Sequence, residues 1–188
     1  MEICLWLGIC SFFGVRVFLF FKNRKILKIK DLNNIHHRLF FLAVDIGGLC
    51  FLSLQLYKYR FSSPDVLSWV GIMFFLAGLF FSTWSRFYLG NNWDTAGTGG
   101  LKKDHQLITT GPFKISRNPI YLGTLFLFLG FEIIIKSFFV FLVIPLFLLI
   151  IWEAKREEKM IASHFGEAFQ EYKKAVPFLF PWLPKFTA

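Results

Sequence analysis

Apolar residues along this chain come in blocks and not in alternation. Five blocks stand out: about Ile3–Phe21, Leu39–Tyr57, Val66–Leu89, Ile120–Ile135 and Phe138–Trp152. Strands of a membrane barrel alternate apolar and polar residues. Unbroken blocks of this length predict helices instead. The fourth and fifth are short against the roughly 20 residues of a full span, and both can gain length from flanking helix. Only Lys136 and Ser137 separate them, which predicts a tight hairpin. Pro145 predicts a kink in the fifth helix, with neighbours satisfying the freed carbonyl.

Composition turns blocks into spans. Hydrophobic residues make up 55% of the 188, aromatics 20%, and 27 residues are Phe. A water-soluble protein exposing that much apolar surface would associate. In a bilayer, helices satisfy their own backbone groups. The expected fold is therefore an all-α integral membrane protein. It has about five transmembrane helices and a cytoplasmic C-terminal amphipathic helix, in one membrane domain over residues 1–188. The first block lacks a basic leader and carries Arg16, so it reads as a transmembrane helix and not a signal peptide.

Charge then orients the spans. Lys22, Arg24, Lys25, Lys28, Lys30 and Arg38 fall in the first connector. Lys102, Lys103, Lys114 and Arg117 fall in the third, and Lys155, Arg156, Lys159, Lys173, Lys174 and Lys185 in the tail. The opposite side holds only Lys58, Arg60 and Lys136. This asymmetry predicts a cytoplasmic C-terminus. The net charge of +9 is a topology signal plus attraction to anionic lipid, and no nucleic-acid motif accompanies it.

Few polar features remain. The connector 90–119 is long for a plain anchor. It ends in Asn118-Pro119, a good helix start: Asn is a preferred N-cap acceptor, and Pro at the first position gives up no needed donor. The positive end of the fourth helix would face the Gly111–Asn118 turn and suit an anion; a simple cap is the plainer alternative. From Glu153 to Lys174 the tail reads as one amphipathic helix, with Ile161, Phe165, Ala168 and Tyr172 in an apolar stripe. Glu157 and Glu158 sit one turn past the fifth block, and Glu153 shares a face with Glu157. Glu132 and Lys136 are spaced to pair along a helix. Arg16 and Asp45 are intramembrane charges, functional candidates by default, though they could equally pair with each other. Cys4, Cys10 and Cys50 have neither metal nor disulfide spacing and read as small buried residues. His36 and His37 read as surface residues; His105 and His164 lack a zinc motif, and no metal site is expected.

The segment HQLITTGPFKISRNPIYLG, then EE, then HFGEAFQEYKKAVPFLFP, resembles the isoprenylcysteine carboxyl methyltransferase family, itself related to the membrane phospholipid N-methyltransferases. Two separated motifs occur in the expected order around a hydrophobic hairpin, over about Arg86–Pro181. The resemblance implies S-adenosylmethionine bound at the cytoplasmic face without a Rossmann domain. It implies cofactor contacts on His105, Gln106, Leu107, Ile108, Phe113, Asn118, Pro119, Ile120, Tyr121 and Glu157. Glu157, Glu158 and Arg117 are the candidate catalytic residues; an amine or thiol acceptor would lose its proton to Glu157, Glu158 or His105. It divides the chain into three N-terminal helices over 1–89 and a cofactor loop, hairpin and C-terminal helix over 90–188.

The sequence departs from the pattern at three positions. Phe113 replaces a Tyr, and Asn118 replaces a His found in many members. Glu153 stands where the prenylcysteine enzymes carry a substrate-binding Arg; Arg86, Arg117 and Arg156 are candidate substitutes. The implied acceptor is a membrane lipid or a prenylated or other lipophilic small molecule, with prenylcysteine carboxylate, phospholipid amine and small thiol all open. Two rivals are a reductase, since sterol reductases have a similar C-terminal region, and a non-catalytic lipid- or partner-binding membrane module.

Overall fold

The computed structural model describes residues 2–22, 32–58, 64–92 and 106–181. Six helices carry the described chain: α1 Glu2–Lys22, α2 Leu32–Lys58, α3 Val66–Leu89, α4 Pro119–Ile134, α5 Val143–Phe165 and α6 Glu167–Ala175. The described residues contain no strand. Among the described residues, two helices are long and apolar enough to cross a membrane, Val66–Leu89 and the continuous stretch Phe138–Phe165. Cys4–Val15 and Pro119–Ile134 are shorter apolar helices.

α3 and α4 form the centre. Asp65 caps α3 with its carboxylate on the Ser68 amide, and Lys136 beyond α4 reaches the same carboxylate at 2.8 Å. The two helices therefore run antiparallel. Glycines set their separation: a methyl on Gly78 would lie 2.3 Å from the Leu127 amide nitrogen, and one on Gly130 2.3 Å from that of Phe75. Lipid tails are as apolar as leucine, so burial alone gives little drive for helix association in a bilayer. Close backbone approach at small residues gives dispersion contacts in its place. Around this seam pack Leu5, Ile9 and Phe12 of α1, Leu52 and Leu56 of α2, Phe75 of α3, and Leu127, Phe131 and Ile134 of α4.

The outward faces are apolar. Leu67, Met73, Leu76, Phe80 and Phe87 of α3 and Ile144, Leu148 and Trp152 of α5 are exposed at helical spacing. No large hydrophobic residue of α4 is exposed. That explains its 16 residues: a helix wrapped by others need not match the lipid thickness. Cys4, Cys10 and Cys50 are exposed on the bundle surface, against the expectation of burial; apolar faces turned to lipid accept small residues as readily as a core does.

Several local expectations change. Pro145 is the third residue of α5, following a 3-10 turn over Phe138–Leu142. In the first helical turn it interrupts no established ladder, so no kink is required. The tail helix breaks at Gly166, whose φ of +54° is the left-handed region that glycine tolerates best. The break rotates the following turn, so Phe169 is buried and Ala168 exposed. Lys136 bonds Asp65 and not Glu132. Glu132 instead receives a 2.7 Å bond from the Gln55 amide of α2. Lys136 has φ +51° at the turn, and the chain there has left the helical register that would stack it on Glu132. The side chains of Arg16, His36 and His37 lie outside the described residues.

Candidate functional site

The segment before α4 folds through its own turn chemistry. Gly111, at φ +60°, lies under the Tyr88 ring, which a Cβ would meet at 2.7 Å. Tyr88 in turn shares a 2.8 Å hydroxyl bond with Thr110. Pro112 opens a 3-10 turn over Gly111–Lys114, closed by the Ile115 amide on the Pro112 carbonyl at 3.1 Å. The Ser116 hydroxyl then accepts from the Asn118 amide at 3.2 Å, and Pro119 starts the helix. The turn's far side is apolar: Phe113, Phe169, Tyr172 and Val176 form a small core with Leu107, Ile108, Ile161 and Phe165.

Arg117 and Asn118 join three chain segments. The Arg117 Nε donates to Glu158 Oε1 of α5 at 2.8 Å, and its Nη1 to the Lys173 and Val176 carbonyls at 2.8 and 3.2 Å. Its backbone amide donates to the Pro177 carbonyl at 3.0 Å. The Asn118 Nδ2 donates to Glu158 Oε1 at 3.1 Å and to the Phe178 carbonyl at 2.9 Å. The side chains of Arg117 and Glu158 are only 4% and 13% exposed, so this pair is largely shielded from solvent screening. Below it, the Tyr172 hydroxyl donates to the Phe113 carbonyl at 2.6 Å. Burial pushes the Tyr172 phenol up, with the Arg117 charge opposing and Glu158 reinforcing. It therefore remains a protonated donor at neutral pH.

The corner thus assembles Phe113, Arg117, Asn118, Pro119 and Glu158, all buried or nearly so. Ile120, Tyr121 and Glu157 are half-buried nearby in sequence, as are Leu107 and Ile108, while Gln106 is exposed. His105 lies outside the described residues. Asn118 occupies the N-cap position, yet no side chain caps α4. Its Nδ2 is directed instead at Glu158 and the Phe178 carbonyl, and the bond to the carboxylate is of the stronger, charge-assisted kind.

The candidate arginines are each engaged within the chain. Arg117 is held as described. Arg156 binds Glu153 through Nη2 at 2.7 Å and Nε at 3.2 Å, so Glu153, 2% exposed, is a paired carboxylate. Arg86 is fully buried with its guanidinium 4.5 Å above the Phe12 ring. Ser116 and the Val176–Phe178 carbonyls are site components that sequence reasoning missed; a hydroxyl two residues before a helix start was the only visible signal. His164 packs edge-on to Phe165 at 4.7 Å and is exposed. Among the described residues, no group of three His, Cys, Asp or Glu could hold a metal ion.

An apolar helical hairpin that brings a carboxylate of α5 to the polar turn before α4 defines a class of membrane-embedded protein with a shielded polar corner. The phospholipid methyltransferase family matches residues 66–168, from the start of α3 into α6, and the chain belongs to that family. One similar protein is a protein-S-isoprenylcysteine O-methyltransferase from Schizosaccharomyces pombe. It is 33% identical over 87 residues, 44% of this chain and 36% of the relative. Another is the cobalt-zinc-cadmium resistance protein CzcN of Cupriavidus metallidurans, 33% identical over 84 residues, 44% of this chain and 38% of the relative. The aligned segment is little more than a third of either relative's length.

Proposed function

We infer that the protein is an S-adenosylmethionine-dependent methyltransferase acting on a lipophilic acceptor at the cytoplasmic membrane face, within a bundle of about five spans. The observation that carries this reading is the meeting of Asn118 and Glu158 at 3.1 Å. It joins the two motifs of a methyltransferase family at the end of an apolar hairpin.

The residues present fit such a cofactor. Glu157 and Glu158 supply carboxylates for its cationic groups. Leu107, Ile108, Phe113 and Tyr121 supply apolar and aromatic surface, and α4 has no side-chain cap, so its positive end suits a carboxylate. Gln106, Pro119 and Ile120 complete the lining, with His105 as a further proposed contact. When bound, the cofactor would supply a methyl group on a sulfonium, whose in-line transfer to an acceptor would release a neutral thioether. The chain's own work is alignment, which the corner's fixed hydrogen bonds favour. Arg117 contributes by holding Glu158, and Glu158 by holding Asn118. A carboxylate acceptor needs no base. An amine or thiol loses one proton, and Glu157 is the proposed recipient. The isoprenylcysteine relative supports a prenylated acceptor; the family match supports a phospholipid one.

Calorimetry on purified protein tests the reading. S-adenosylmethionine and S-adenosylhomocysteine should bind with micromolar affinity, weakened at least tenfold by Glu157→Ala and Asn118→Ala. Absence of binding in a folded sample would sink it. A labelled-methyl assay against lipid extract and a prenylcysteine analogue then separates acceptors.

A further inference from the structure

The segment that follows α6 is held in an unusual way. Val176–Phe180 forms no helix or strand. Its apolar side chains nonetheless sit deep. Leu179 is 3% exposed and packs with Leu122 and Leu125 of α4 and Ile150 of α5, with Phe178, Phe180, Tyr121 and Phe147 around them. This strap therefore covers the first turns of α4, the middle of α5 and the Tyr121 side chain. Three of its backbone carbonyls are held by one pair of residues. The carbonyls of Val176, Pro177 and Phe178 accept from the Arg117 guanidinium, the Arg117 amide and the Asn118 side chain respectively.

The fastening groups are shared. The guanidinium that binds Val176 also binds Glu158 at 2.8 Å, and the Asn118 amide that binds Phe178 also binds Glu158 at 3.1 Å. Glu158 therefore holds both hands of the latch in place. A cation brought to that carboxylate faces Arg117 across it. Like charges a few ångströms apart in a shielded site repel strongly, and the carboxylate's acceptor capacity is divided among more donors. A cation there competes with Arg117 and Asn118 for the one carboxylate that orients both strap donors.

We propose that Val176–Phe180 is a releasable strap, latched by Arg117 and Asn118 and loosened when a cationic ligand occupies Glu158, so that the apolar flank of the site opens to an acceptor. Arg117 is on this account a positioning residue, acting through Glu158 and the strap. The identity of the cation as S-adenosylmethionine rests on the proposed function; the latch itself does not.

Thiol labelling reads the strap directly. Cys4, Cys10 and Cys50 are replaced by serine and Leu179→Cys is introduced in the full-length protein; a water-soluble maleimide then reports exposure of position 179. Lys174→Cys, already exposed, is the reference site. Leu179→Cys should label slowly in the parent. Labelling should accelerate at least tenfold on adding Arg117→Ala or Glu158→Gln, less with Arg117→Lys, with the reference rate constant throughout. Saturating S-adenosylmethionine should accelerate the parent similarly and have no further effect in Glu158→Gln. Acceleration of the parent by the ligand, with the reference rate unchanged, separates a switch from general loosening. Unchanged labelling in both Arg117→Ala and Glu158→Gln overturns the latch. Unchanged or slower labelling with S-adenosylmethionine, in protein shown by calorimetry to bind it, overturns the control by cation. If calorimetry shows no binding, the proposed function fails, and the two substitutions still decide the latch.

Discussion

The two ends of α4 both carry buried carboxyl groups, and they are built differently. At the N-terminal end, Glu158 accepts from a guanidinium and a side-chain amide, and those donors continue into three strap carbonyls. At the C-terminal end, Glu132 is fully buried and receives one bond from Gln55, whose own oxygen accepts from Ser137 at 2.8 Å. Glu132 Oε2 has no hydrogen-bond partner among the described residues. One end holds a charge pair at the edge of solvent, connected through its donors to the non-helical segment after α6. The other holds a small uncharged-partner network deep between α2, α4 and the hairpin turn. Removing one member of a shielded ion pair strands a charge; trimming a neutral network loses a hydrogen bond. The first end is suited to respond to a ligand, and the second to fix where α2 docks.

Substitutions test this contrast. The largest effect is expected from Glu158→Ala, which leaves the Arg117 guanidinium buried without its carboxylate. The loss should be about 3 kcal/mol or more, read from unfolding in detergent, together with loss of S-adenosylmethionine binding by calorimetry. At the other end, Glu132→Gln keeps shape and the Gln55 contact. It should change stability by about 1 kcal/mol or less and leave cofactor affinity unaltered; a tenfold affinity change there would erase the distinction between the ends. Tyr172→Phe removes the 2.6 Å bond to the Phe113 carbonyl while keeping the ring. Thermal unfolding should register about 1 kcal/mol, with the strap region affected more than α2.

The smallest effect belongs to the outer turn. Lys136 and Ser68 hold the Asp65 carboxyl well below the usual carboxylate range. Because the folded value is depressed, the stabilisation is complete above the ordinary value of 3.8 and is lost only as pH falls below it. Both partners are substantially exposed, and such pairs contribute little. The melting difference between parent and Asp65→Asn should stay flat from neutral pH to about pH 4.5 and narrow below that.

Much of this was legible in the sequence. Block length and the Lys136-Ser137 break gave α3, α4 and the hairpin within a residue or two, because apolar runs and turn residues act locally. The motif pair pointed to Glu157 as the residue completing the site from across the hairpin; the residue that meets Asn118 is its neighbour Glu158. What sequence did not give were pairings across the fold. Lys136 had two acids available, and only the approach of α3 to the turn selects Asp65. Asn118 reads as a cap until Glu158 arrives from 40 residues away. The rotation after Gly166, which exchanges Ala168 for Phe169, depends on one backbone angle that no periodicity encodes.

The glycine seam also fixes how deep the corner lies. Gly123 packs on Ser82 and Gly71 on Ile133 and Ile134, so α4 is locked in register along α3. A 16-residue helix is about 24 Å long, against about 36 Å for the 24 residues of α3. Both ends of α4 therefore stop short of the ends of its neighbour, by about one helical turn each. The corner is countersunk between its neighbours' ends, and on the proposed function a lipid anchored by its tails would meet it below their tips.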